Sequence, residues 1–159
     1  MNAQDYIRSL NLSPHVEGGH FRELFVSGEK DAAGRALYSS ILFLLEKDEV
    51  SRLHRLLHDE VWYYHAGGTL NIYMIAADGR LTIEKLGPDP EKGERLQVTV
   101  PGGTVFGAAL CSGTYALCGC MCAPAFLYEE FEIPEKDALL KAYPQYAYVI
   151  KRLAAPEAG

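Results

Sequence analysis

Residues 51–68 read SRLHRLLHDEVWYYHAGG, and no other stretch of the chain carries as much chemistry. It holds three of the five histidines, His54, His58 and His65, together with Glu60 and the only tryptophan, Trp62. Two runs inside it, Leu53–Leu56 and Val61–Ala66, suit strands, and Leu57–Asp59 between them reads as the turn of a hairpin. Side chains alternate along a strand, so His54 and Leu56 share one face of the first run. Glu60, Trp62 and Tyr64 share a face of the second, which leaves Tyr63 and His65 on the other. With both sets turned inward, His54 and Glu60 meet beside an aromatic wall. A carboxylate and an imidazole in a half-buried apolar cavity are the raw material of proton transfer, because burial and pairing move both pKa values. His58 and His65 read as solvated side chains beside the turn.

Outward from this stretch the chain runs in short β-prone segments punctuated by Gly, Asp and Pro. Candidate strands are His20–Ser27, Ala36–Leu45, Glu49–Leu56, Val61–Ala66, Thr69–Ala76, Leu81–Leu86, Leu96–Val100, Thr104–Ala109, Tyr115–Cys122 and Glu129–Phe131. Asp78-Gly79 is the cleanest hairpin turn among the breaks. Helical spacing predicts a short helix over Ala3–Leu10 and a helical tail over Glu135–Leu153, interrupted at Pro144. Many short strands between terminal helices predict an all-β sandwich or small barrel, one domain over residues 1–159.

Composition narrows the class further. With 159 residues, 48% hydrophobic and 23% charged, the chain is no disordered polymer. Fifteen basic against twenty-one acidic residues leave −6, which argues against a nucleic-acid surface built on bulk charge. No apolar run approaches the ~20 residues that span a bilayer. Met1–Arg8 lacks the apolar core of a signal peptide, so the expected setting is cytoplasmic. Cys111, Cys118, Cys120 and Cys122 fall within twelve residues. A disulfide scaffold spreads its cysteines, and C-x-C-x-C is a poor zinc knuckle, so these read as reduced thiols acting as small core residues.

A second cluster runs from His15 to Glu23 as HVEGGHFRE. Two glycines after an acid permit a sharp turn or a close backbone approach. Glu17 and Arg22 then bracket a polar substrate, with Arg22 able to grip a carboxylate or phosphate through two donors. The plainer reading is a strand-initiating turn with an Arg22–Glu23 pair on solvated faces.

Several of these segments carry a family resemblance. Glu60-x₆-Gly67 preceded by His54 is similar to the first cupin motif, and Pro101-x-Gly103 to the start of the second. A fuller series resembles the fifth cupin group: His15-x-Glu17-Gly18-Gly19-x-Phe21-Arg22-Glu23, Ser40-Ile41-x-Phe43-Leu44-Leu45, Ser51-x-x-His54-Arg55-Leu56 and Asp59-Glu60-x-Trp62. It continues through Val100-Pro101-x-Gly103-Thr104-x-Phe106-Gly107-Ala108 and Ala123-Pro124-x-Phe126. The resemblance implies a double-stranded β-helix, or jelly roll, commonly dimeric, with the His15–Glu23 segment running along its cavity. That makes Glu17 and Arg22 pocket residues.

Metal-binding cupins use two alternate histidines, the glutamate and a further histidine of the second motif. Here Leu56 and Phe106 stand at two of those positions, so neither a metal nor another cofactor is expected. The resemblance then implies three alternatives. One is a metal-independent isomerase or epimerase acting on a small polar, carbohydrate-like molecule, with His54 as base, Glu60 as its orienting partner or the acid, and Tyr64 as proton donor. Trp62 and Phe106 would stack the ring. The second is a non-catalytic ligand-binding or sensing domain, and the third a metal-dependent enzyme with a degenerate site. In each the expected partners are a small molecule and a second copy of the chain, not nucleic acid or membrane.

Overall fold

The computed structural model describes residues 1–154; residues 155–159, the end of the expected domain, lie outside the described residues. The chain opens on helix α1 (Ala3–Ser9), whose first turn is closed reciprocally. Asn2 accepts the Asp5 N–H at 3.0 Å, and the Asp5 carboxylate accepts the Asn2 N–H at 2.9 Å. Ten strands follow: β1 (Ser13–Pro14), β2 (His20–Val26), β3 (Ser39–Glu46), β4 (Val50–Arg55), β5 (Asp59–Gly67), β6 (Leu70–Ile75), β7 (Leu81–Leu86), β8 (Gln97–Val100), β9 (Val105–Leu110) and β10 (Tyr115–Ala123). Helices α2 (Lys136–Ala142) and α3 (Ala147–Leu153) close the described chain, with a 3₁₀ turn at Pro144–Tyr146 between them.

The strands form two antiparallel sheets, ordered β1-β2-β3-β10-β5-β8 and β4-β9-β6-β7. This is a jelly-roll sandwich. Its central strands read as near-continuous apolar runs because both of their faces are covered. Inward, Phe43, Trp62, Phe106 and Cys118 pack between the sheets. Outward, Leu44 and Leu117 meet Ala3 and Leu12 under α1. The other sheet turns Leu53, Tyr73, Ile75 and Val105 onto α2 and α3, against Leu139, Val149, Ile150 and Leu153. Trp62 has no exposed surface, and its ring meets Phe43 and Phe106 edge-on at 5.7 and 6.4 Å. Among the described residues no helix is long and apolar enough to cross a membrane.

Three local expectations are corrected. The strands carrying His54 and Glu60 are not a hairpin: β4 pairs with β9 in one sheet, whereas β5 pairs with β10 and β8 in the other. The short link between them crosses the sandwich, and Gly103 N–H donates to Leu56 O at 2.8 Å to brace it. Glu129–Phe131 is not a strand. Tyr128–Glu130 is a 3₁₀ turn, and Glu130 is held by Arg35 through two bonds of 2.7 and 2.8 Å. The strand expected from Ala36 begins at Ser39, with Ala36 making an isolated bridge to Lys30.

One irregularity matters for the cavity. Between Ser51 and His54 strand β4 advances three residues while β9 advances two, from Ala108 to Phe106. This bulge sends Leu53 outward to α3 and aims His54 into the sandwich. Because Trp62 fills the interior beneath that cavity, Trp62→Ala is expected to lower stability by about 3–5 kcal/mol. Urea unfolding followed by circular dichroism measures it, and a loss below about 1 kcal/mol would show that the sheets do not close on this ring.

Candidate functional site

Between the sheets lies a cavity of about 290 Å³. One wall is the inner face of the larger sheet, laid down by strand register. Glu23, Ile41 and Cys120 form one row across β2, β3 and β10; Ser39, Cys122 and Glu60 form the next, across β3, β10 and β5. Facing them are His54 of β4 and Leu56, just past its end. His15 and Glu17 arrive from the loop between β1 and β2, and Phe126, Tyr128 and Phe131 from the segment after β10.

Glu17 reaches the centre of the site because two glycines follow it. Gly18 and Gly19 have φ of 109° and 71°, a region that strains other residues. A Cβ on Gly18 would overlap the Val50 carbonyl oxygen, and one on Gly19 would lie 2.6 Å from Leu44 O. Without side chains the loop lies directly against β4, and Arg52 N–H donates to Glu17 O at 2.8 Å. The peptide groups of Arg52 hold both partners, since its carbonyl accepts from His54 Nδ1 at 2.6 Å. Thus clamped, His54 Nε2 stands 2.9 Å from Glu17 Oε2, in an ion pair almost wholly removed from water. His15 Nδ1 accepts the Glu17 N–H at 3.1 Å, which leaves the His15 proton on Nε2.

The charges follow from this packing. Burial alone would push the His54 pKa down, but Glu17, and then Glu60, favour the cation and raise it to about 9. His54 is therefore an imidazolium at neutral pH. Burial would raise Glu17, but the charge of His54 holds it below the usual carboxylate range. His15 is lowered by its own burial and stays neutral. Glu60 has no such full partner. Burial pushes its carboxyl up, His54 pulls it back, and the Glu17 charge pushes it up again, to about 7. Its neighbour is the Cys122 thiol, which donates to Glu60 Oε2 at 3.5 Å and is itself raised by burial and by that carboxylate.

The structure brings together three of the seven residues singled out from the sequence. His54, Glu60 and Glu17 line the cavity, but the partner of His54 is Glu17 rather than Glu60, and a cationic His54 is no base at neutral pH. Arg22 lies on the outer face of β2, because Phe21 and Glu23 take the inner one, and its Nη1 donates to Leu10 O at 3.1 Å. Tyr64 does not line the cavity; its hydroxyl donates to Gly67 O at 2.8 Å. Trp62 and Phe106 are core beneath the site, Phe106 with its ring 4.1 Å from that of His54. Sequence reasoning missed His15, Cys120 and Cys122 as wall residues and the aromatic group Phe126, Tyr128 and Phe131. For Cys120 and Cys122 the signal was present, in the alternation of β10. For the aromatic group it was not, since the segment has no regular period.

The donor set does not fit the metal centre of metal-binding cupins. Leu56 and Phe106 offer no ligand atom, and His54 has one nitrogen on Arg52 O and the other against Glu17. Among the described residues, the three donors brought within reach of one ion are His20, Glu46 and Glu49, outside the cavity. There Glu46 accepts from Gln4 and Glu49 from the Glu46 N–H.

Glu60 makes stability depend on pH. Its folded pKa of about 7 lies above its ordinary 4.5, so between these values the folded state holds the extra proton. Stability therefore falls as pH rises through that window, by about 3 kcal/mol. Glu60→Gln removes this step, and the variant is expected to be more stable than the parent at pH 8 and close to it at pH 5. Parallel urea-unfolding curves for both proteins across that range would show Glu60 to be an ordinary carboxyl.

Comparisons with known proteins agree with this architecture. The family model described as Cupin superfamily (DUF985) matches residues 4–134. No curated protein matches the chain. A crystal structure of a protein from Shewanella oneidensis is 46% identical, with a TM-score of 0.95 and 99% of each chain covered. A hypothetical protein from Leishmania major is 36% identical, with a TM-score of 0.92, covering 98% of this chain and 100% of its own. A cupin 2 domain-containing protein from Halorhodospira halophila shares the fold at 16% identity and a TM-score of 0.58, with 92% and 89% covered. With most of its length matched and its sandwich shared by these structures, this chain belongs to the cupin superfamily (DUF985).

Proposed function

We propose that the cavity binds a small molecule and exchanges a proton with it through Glu60, as a metal-independent isomerase does. One observation carries the reading: a buried carboxyl on the cavity wall, titrating at about 7 beside a fixed imidazolium–carboxylate pair. A base works best with a pKa near the operating pH, and Glu60 is the wall group that meets this. As a carboxylate it takes a proton from a carbon next to a carbonyl, and the electron pair moves onto the carbonyl oxygen. The proton then returns from the Glu60 carboxyl to the former carbonyl carbon, while the hydroxyl on the first carbon yields its proton to the former carbonyl oxygen, so that hydroxyl and carbonyl exchange places. His54 donates no proton in this scheme; its charge stabilises the negative charge that develops. Tyr64, bonded to Gly67 O, gives no second acid across the ring, which favours a one-base isomerisation over an inversion.

Thermal-shift screening of small hydroxy-carbonyl compounds identifies a ligand, and proton NMR in D₂O then reads exchange at carbon. The rate is expected to rise through pH 7 as Glu60 ionises and to fall near pH 9 as His54 loses its charge. Glu60→Gln should lower it by about 10²–10⁴-fold. Exchange that survives Glu60→Gln would remove Glu60 as the base, and a ligand that binds without exchange would leave a non-catalytic binding domain.

The same reading includes a second copy of the chain. Strand β1 pairs with β2 only at His20 and Phe21, which leaves the edge beyond it free among the described residues. Leu24, Phe25 and Val26 on that edge are exposed, with Leu37 and Tyr38 beside them, and Phe25 stacks on Tyr38 at 5.6 Å. Edge pairing across a two-fold axis would cover this strip. Light scattering is expected to give the mass of two chains, reduced to one in Phe25→Glu; a parent of one-chain mass at micromolar concentration would overturn the assignment.

A further inference from the structure

The cavity has a sign as well as a shape. Among the described residues three carboxyls face it, Glu17, Glu23 and Glu60, against one imidazolium, His54, and no lysine or arginine lines it. The nearby Arg35 is off the wall and neutralised by Glu130 at 2.7 Å. An anionic ligand would meet Glu23 at the exposed rim and oppose the ionisation of Glu60, whereas a cation would favour it. The wall is also aromatic. Phe131 stands 5.3 Å from the His54 ring, Phe126 is 5.9 Å from Phe131, and Tyr128 is 4.8 Å from Phe126, so the rings run from the ion pair out to the exposed Tyr128. Ring faces attract cations.

A third observation sets the hydrogen bonding. Glu17 is 5% exposed, and its Oε2, although 2.9 Å from His54 Nε2, has no donor well in line with it among the described residues. A buried carboxylate oxygen left without a donor is costly, and a ligand N–H would satisfy it. The size is also bounded. A ~150 Å³ cavity holds benzene, so about 290 Å³ encloses one ring and a short substituent.

From these three features we infer that the cavity selects a small organic ammonium bearing at least one N–H, its charge held between the aromatic rings and the Glu17 and Glu60 carboxylates. The inference rests on the reading that this cavity is the ligand site, and it names the ligand's chemical class.

Titration calorimetry with benzylamine, benzyl alcohol and benzoate, equal in size and different in charge, tests it. N,N,N-trimethylbenzylammonium separates N–H donation from the attraction of rings for charge. Benzylamine is expected to bind about tenfold or more tighter than the alcohol and tighter than the trimethyl compound, with benzoate silent. Tyr128→Leu, at an exposed position that does not threaten folding, and Glu60→Gln should each weaken benzylamine by about five- to tenfold. The assignment is overturned by equal affinity for amine and alcohol, by binding of benzoate, by no amine binding at millimolar concentration, or by amine binding that neither variant alters. Amine binding without carbon-bound proton exchange supports this assignment and removes the isomerase reading. Exchange on a neutral ligand with amines excluded supports the isomerase reading and overturns this one.

Discussion

Around the buried pair of Glu17 and His54 the rest of the site is arranged. Removing two charges from water costs several kcal/mol per ion, and their attraction offsets this only where geometry and further hydrogen bonds are good. Here the further bonds come from one residue's backbone, the Arg52 N–H to Glu17 O and the Arg52 carbonyl to His54. Such a pair adds little net stability compared with apolar residues of the same shape. Losing one partner is a different matter, because it strands the other charge in the interior. The pair therefore acts as a lock. It ties the loop before β2 to the sheet that does not contain β2, and so fixes the width of the cavity at its base.

That lock has a chemical consequence for the third carboxyl. With His54 committed to Glu17, Glu60 receives only a partial share of the imidazolium's field and has a thiol for its close neighbour. The division of labour between two similar carboxyls follows from the loop geometry. Glu17 reaches His54 and is ionised; Glu60, one wall away, keeps a proton near neutrality. Two acids whose environments push their pKa values apart are the arrangement expected of an acid–base site.

Much of the architecture was legible in local pattern. Period-two alternation placed His54 and Leu56 on one face, and Glu60 with Trp62 on another, and the structure keeps both facings even though the hairpin joining them is replaced by a crossing between sheets. A short polar link between two strand patterns reads the same whether it turns back or crosses over. What separates the two here is a contact with the Pro101–Gly103 turn, more than forty residues later. Glu17 illustrates the same limit. The Gly18-Gly19 pair announced a close backbone approach, but Val50 and Leu44 as the approached groups, and His54 as the beneficiary, are tertiary facts. Arg22 failed for a simpler reason. Its neighbours Phe21 and Glu23 have the inward parity, so strand alternation alone turns Arg22 away from the cavity.

Glu60 also resolves a conflict between stability and site. A leucine or glutamine in its place would be accepted by the surrounding apolar wall, whereas the glutamate must either hold a proton or bear a charge with little hydration. The fold carries this burden in its inner sheet face, on β5 beside the centrally placed β10, not at a frayed edge. Trp62, two residues on, anchors the same strand in the core, so Glu60 does not relieve its strain by swinging into water. A group held in this way responds to whatever enters the cavity: a bound cation or a developing positive charge favours its ionised form, and an apolar group favours its proton. Charge selection and proton exchange thus rest on one side chain, and on the rigidity that the aromatic core beneath it supplies.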